Sequence, residues 1–148
     1  MAKALIIGYG NPLRGDDGLG WHAARLLADV AAAHDAEVLT CHQLMPELAQ
    51  PISEAQTVVF VDAASEGPLG RLDWRRVEAR AGQAAFAHHV SPESLLGMAR
   101  ELYGRCPKAF VVSVVGETFA CGEELSPTVQ AALPALVKRV DDLLAGNI

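Results

Sequence analysis

The chain has few cysteines and no pattern among them. Cys41, Cys106 and Cys121 are odd in number and form no Cys-x-x-Cys pair. That argues against a disulfide framework and a zinc knuckle and leaves three reduced thiols as the expectation. No apolar run approaches the roughly 18 residues of a membrane span, and no basic segment leads into an apolar one at the amino end. Neither membrane insertion nor secretion is expected, and the expected compartment is the cytoplasm. Positive charge is in the minority: 12 Lys and Arg stand against 18 Asp and Glu, for a formal net charge of −6. This argues against nucleic acid or an anionic membrane as partner.

Several catalytic signatures are missing as well. There is no His-Glu-x-x-His helix, no Gly-x-Ser-x-Gly elbow and no Walker lysine. Gly8 and Gly10 begin a dinucleotide-type glycine pattern, but Leu13 stands where its third glycine belongs. Two aspartates in that turn would also repel a pyrophosphate.

What is there is ordinary globular usage, with about half of the 148 residues apolar, enough for one domain over residues 1–148 with a real core. Apolar runs of strand length alternate with helical patterns. Ala4–Ile7 reads as a first strand, Glu37–Cys41 as a second, Thr57–Val61 as a fully buried third ending in Asp62, and Lys108–Val115 as another buried strand. Arg71 to Glu78 alternates loosely and reads as a half-exposed edge strand. Helices are expected from Trp21 to about Ala33, as a turn or two at Pro46–Ala49, from Ser91-Pro92 to about Tyr103, and from Ser126-Pro127 to about Ala145. Pro134 should kink the last helix or mark its restart. Ala79–Ala87 and Gly116–Glu124 read as loops. Strands and helices in this order predict an α/β fold, a three-layer α/β/α sandwich around a largely parallel twisted sheet.

The polar residues with chemical potential fall where strands end. Gly8-Tyr9-Gly10-Asn11-Pro12-Leu13-Arg14-Gly15-Asp16-Asp17-Gly18-Leu19-Gly20 follows the first strand, His42-Gln43 follows the second, Asp62 closes the third, and His88-His89 precedes a helix. Loops after parallel strands share one edge of the sheet and can converge. Two carboxylates and an imidazole make an open divalent site of the kind that suits zinc, nickel or another borderline metal. Each residue also has a plainer use. Asp16 or Asp17 can cap the following helix, Asp62 can tie down the next loop, and His42 can anchor its own loop. Cys41 beside His42 is a conceivable nucleophile pair. His22 and His34 are expected in surface or packing roles.

The long glycine and aspartate motif resembles that of the nickel-iron hydrogenase maturation endopeptidases, and the likeness extends across essentially the whole chain. The strand ending in Asp62, the histidines before a Pro-initiated helix and the late Leu125-Ser126-Pro127-Thr128-Val129 stretch follow in the family's order. The resemblance implies an endopeptidase that trims a carboxyl-terminal extension from the hydrogenase large-subunit precursor after nickel insertion. It also implies recognition of that nickel through two carboxylates and a histidine. On this chain these fall on Asp17, Asp62 and His89, the last three residues before Pro92, with His88 as the neighbouring alternative. Asp16 would orient the site or act as base. Nickel would arrive with the precursor, or another divalent metal would bind the free enzyme, and the protein is expected to act as a monomer. The alternative is a non-proteolytic nickel-sensing chaperone or metal-binding module for the same precursor.

Overall fold

The computed structural model of the chain describes residues 3–80 and 90–147. Five strands form one sheet: β1 (Ala4–Tyr9), β2 (Ala36–Cys41), β3 (Thr57–Ala64), β4 (Leu72–Val77) and β5 (Lys108–Val115), in the spatial order β2-β1-β3-β5-β4. All neighbours run parallel except β4, which pairs antiparallel with β5 at one edge. The α/β sandwich expected from the sequence is the one observed.

The helices divide between the two faces because the strands present alternate residues to each. Ile6, Val59, Val61, Val112 and Val114 pack against α1 (Leu19–Leu26), α2 (Ala28–Ala33) and α5 (Pro127–Ala145). Leu5, Ile7, Val58, Phe60 and Val111 pack against α3 (Ala49–Glu54) and α4 (Pro92–Tyr103). Ile6, Ile7 and Phe60 are fully buried, and each such side chain is worth about 1.5–3 kcal/mol over its exposed state. In α5, Val129, Leu133, Leu136, Val140 and Leu143 repeat at helical spacing and are all buried.

Three local expectations are corrected and a fourth is narrowed. The helix expected as one piece from Trp21 to Ala33 is two, with a break at Leu27, preceded by a 3-10 turn over Gly15–Gly18. The short helix at Pro46 continues through α3 to Glu54. Strand β3 runs two residues past Asp62, because Asp62, Ala63 and Ala64 keep their register with Ser113, Val114 and Val115 of β5. Of the two outcomes expected at Pro134, a kink or a restart, the restart is not seen: α5 runs unbroken through it. Pro134 lies on the exposed side, where the carbonyl its ring deprives of a partner meets water. The loop expected over Ala79–Ala87 falls, for residues 81–87, outside the described residues.

The strand order places a switch point between β1 and β3. The chain leaves β1 toward β2 on one side and β3 toward β5 on the other, so the crevice at their carboxyl ends is where an open parallel sheet binds ligands.

Candidate active site

The turn leaving β1 is shaped by close backbone approach. A Cβ on Gly8 would lie 2.3 Å from the Gly20 carbonyl oxygen, so the strand and α1 touch where neither can carry a side chain. Gly10 has φ of +135°, a conformation costly for other residues, and a Cβ there would meet the Asp17 carbonyl oxygen at 2.1 Å. The indole Nε1 of Trp21 donates to the Gly10 carbonyl at 2.8 Å, and the Asn11 N–H donates to Asp17 Oδ2 at 2.8 Å. Together these bonds fold the turn so that Asp17 stands half-buried at its inner wall.

The two adjacent aspartates then part company. Asp16 is fully buried and faces the segment that follows β5. Its Oδ2 accepts from the N–H groups of Glu117 and Thr118 at 2.7 and 3.1 Å and from the Ser126 hydroxyl at 2.8 Å, while Oδ1 accepts from the Ser126 N–H at 2.7 Å. Burial alone pushes its pKa up, but the Ser126 and Glu117 amides lead a set of donors that brings it below the ordinary carboxylate value. Neither aspartate caps a helix by a side-chain bond, so the expected cap is not formed. Asp16 instead clamps the 117–126 segment beneath the glycine turn and does not line the cavity.

Asp17 and Asp62 meet at one cavity of about 510 Å³, lined also by Tyr9, Gly10, His42, Gln43, Met45 and Val90. Gly8 pairs with Val61 and Tyr9 with Cys41, so the register sets Tyr9 between Asp62 and Cys41 at the carboxyl edge, with His42 the next residue after Cys41. Burial pushes the Asp62 pKa up to about 6. A hydrogen bond from Tyr9 and the Ala63 N–H pull it back, and the charge of Asp17 raises it further. Two carboxylates in one cavity concentrate negative charge at the switch point, which suits a cation or a metal-bearing group.

The expected third ligand, His89, and its alternative, His88, lie outside the described residues; Val90, the next residue in the chain, lines the cavity. Among the described residues no three His, Cys, Asp or Glu side chains come together as a metal-holding group. His42 is exposed at the rim, edge-on to Trp21 with ring centroids 5.6 Å apart, and forms no side-chain hydrogen bond among the described residues, so its expected role as a loop anchor is not seen. Cys41 is half-buried and absent from the cavity wall, and burial pushes its thiol pKa up, the reverse of an activated nucleophile. His22 bonds the Glu123 carbonyl and His34 bonds Asp141, both away from the cavity, as expected of packing residues.

Sequence reasoning missed Tyr9 and Trp21. Tyr9 reads as a filler position between two glycines, and Trp21 as one apolar residue of a helix. Period-two alternation put Tyr9 on the face of Leu5 and Ile7, but only the register shows that Asp62 is its neighbour.

No protein-family profile and no curated protein matches the chain. Solved structures do. A nickel-iron hydrogenase maturation protease, HycI of Thermococcus kodakarensis, superposes with a TM-score of 0.75 at 22% identity, covering 97% of this chain and 93% of its own. A hydrogenase 2 maturation peptidase from a Thaumarchaeota archaeon gives 0.72 at 26% identity, with 96% and 97% covered. The hydrogenase maturating endopeptidase HybD of E. coli gives 0.73 at 23%, with 99% and 94% covered. With strand order, glycine turn and paired carboxylates in place, the chain is a structural relative of the hydrogenase maturation proteases and carries their fold.

Proposed function

We propose that this protein is an endopeptidase that removes the carboxyl-terminal extension of a nickel-iron hydrogenase large-subunit precursor after nickel insertion. The observation that carries this reading is the convergence of Asp17, from the 3-10 turn after β1, and Asp62, from β3, its parallel neighbour, on one open cavity. The fold shared with the maturation proteases supports it.

In this reading the nickel is part of the substrate, already held by the precursor. Asp17 and Asp62 supply anionic oxygen ligands and His89 an imidazole, completing the coordination of that nickel and so selecting loaded precursor over empty. The metal polarises the scissile carbonyl or a bound water. Asp16, committed to four hydrogen bonds, supports the turn from below and leaves proton transfer to the cavity residues.

Intact mass spectrometry of nickel-loaded and nickel-free precursor, incubated with this protein, tests the reading. Loss of the tail only from the loaded form is expected. Complex formation with the tail retained would instead assign a non-proteolytic nickel-sensing role, and wild-type cleavage by Asp17→Asn, Asp62→Asn and His89→Ala alike would remove the ligand set.

A further inference from the structure

The loops that follow β1, β2, β3 and β5 stand together at the carboxyl edge of the sheet, where the cavity opens. Three of them hold a large apolar side chain out to water: Leu13, 52% exposed, after β1; Met45, 40% exposed, after β2; and Leu69, 58% exposed, after β3. Each stands on a turn fixed by hydrogen bonds. The Leu13 N–H donates to Asn11 Oδ1 at 2.9 Å, and its carbonyl accepts from the Gly122 N–H at 2.8 Å. Gly122 lies in the 117–126 segment that Asp16 clamps, so the clamp also braces Leu13. The Met45 carbonyl accepts from the Leu48 N–H at 3.0 Å. Around Leu69, the Arg71 N–H donates to the Pro68 carbonyl at 3.1 Å and the Gly70 N–H to the Val115 carbonyl at 2.8 Å. Exposed leucines scattered singly need no explanation. These three residues differ in being presented from ordered turns on one edge, and Met45 is itself part of the cavity wall. An apolar group whose backbone is fixed before binding loses less entropy when a partner covers it.

The charge around them is one-sided. The loops over residues 10–18, 42–48, 65–70 and 116–126 present five exposed glutamates, Glu66 and Glu123 among them, and a single Lys or Arg, Arg14. We infer that this edge is a docking face for the folded body of the precursor: Leu13, Met45 and Leu69 anchor a precursor surface that is apolar at those contacts and basic around them. The inference rests on the cleavage reading for the identity of the partner, but docking itself does not require cleavage. Because Met45 belongs to both the face and the cavity, a precursor seated on these anchors brings its nickel to Asp17 and Asp62. Anchors outside the cavity act equally on ground and transition state, so they lower KM and leave kcat alone.

Leu13 and Leu69 lie outside the cavity wall, and Leu13→Gln and Leu69→Gln keep the backbone bonds of their turns. On nickel-loaded precursor each should raise KM about 3–10-fold and the pair about 10–100-fold, with kcat within about twofold. Leu102→Gln is the control. Leu102 is 67% exposed but ends α4 at the opposite, amino edge, before β5 begins, and KM should stay within about twofold. Nickel-free precursor, which the cleavage reading leaves uncut, gives a second readout by biolayer interferometry. Its Kd should rise by the same factors in the Leu13 and Leu69 variants, and should rise with salt as an acidic face on a basic one requires. Equal Kd and KM for wild type and double variant overturn the docking face while cleavage stands. An equal loss in Leu102→Gln overturns it too, and a salt-independent Kd overturns the basic surround. A wild type that leaves the loaded tail intact, with Kd still raised in the double variant, removes the cleavage reading and keeps the docking face. Wild-type dimers that the double variant loses, seen by sedimentation, would give the edge to a second copy of the chain and overturn the proposal.

Discussion

Asp16 and Asp62 are both carboxylates withdrawn from water at the same edge of one sheet, and they titrate in opposite directions. Burial opposes the charged form in each. At Asp16 the donors outnumber what burial costs: three N–H groups and a hydroxyl converge on two oxygens, and the pKa falls. At Asp62 burial outweighs the pull of Tyr9 and the Ala63 amide, Asp17 adds like charge, and the pKa rises to about 6. The balance of donors against burial separates a carboxylate that holds the fold from one left with capacity for a ligand. The cavity keeps unspent acceptor strength that the clamp beneath it has used up.

The sharpest break of that comparison is functional. Asp17→Asn and Asp62→Asn should each lower cleavage of nickel-loaded precursor by about 10²-fold or more, followed by intact mass, with no loss of Tm. The Asn11 N–H can still bond the remaining carbonyl oxygen at position 17. Asp16→Asn should do the reverse and strike stability first. An amide must turn an N–H toward donors that now have no acceptor, costing about 3 kcal/mol, or roughly 10 °C in Tm. A melting curve unchanged by Asp16→Asn would dissolve the clamp.

Titration tests the same contrast more gently. The folded pKa of Asp62 lies above its ordinary value of 3.8, so its contribution is fully present below that value and is lost as pH rises through about 6. In chelator-treated protein, the stability of wild type relative to Asp62→Asn should therefore fall by on the order of 2 kcal/mol between about pH 4 and pH 7, read by urea unfolding at each pH. Asp16, with a lowered pKa, has the opposite sign: its contribution is present above the ordinary carboxylate pKa and is lost on acidification. Parallel slopes for the two sites would refute the balance of donors against burial. The smallest effect is expected at Trp21→Phe, which removes the bond to the Gly10 carbonyl. It should cost about 1 kcal/mol and reduce cleavage less than either carboxylate variant.

Much of the architecture was legible because it rests on local periodicity. The buried strands at Thr57 and Lys108 are continuous β-branched runs, the edge strand at Leu72–Val77 alternates with charge, and Ser91-Pro92 and Ser126-Pro127 cap α4 and α5 by the bonds their types predict. At α4 the box closes with Ser94, whose hydroxyl accepts from the Ser91 N–H at 2.8 Å. The break at Leu27 was not legible, since Ala and Leu propensities continue through it. Nor was the end of β3, where pairing with β5 carries the strand past Asp62. At the site, Asp17 and Asp62 were legible as acids near the carboxyl ends of β1 and β3, while the division of labour between Asp16 and Asp17 was not. Adjacent identical residues differ only in where their side chains point.

By itself the sequence determined which residues form strands and helices, that the sheet is largely parallel, and that acidic groups gather at its carboxyl edge. These follow from side-chain period, turn chemistry and capping, which act over a few residues. Only the tertiary structure decided that Asp16 bonds Ser126, 110 positions away, that Tyr9 stands beside Asp62, and that Asp17 and Asp62 share a cavity at the switch point. Those pairings depend on strand order and register, which are set by how both faces of the whole sheet bury their apolar residues at once.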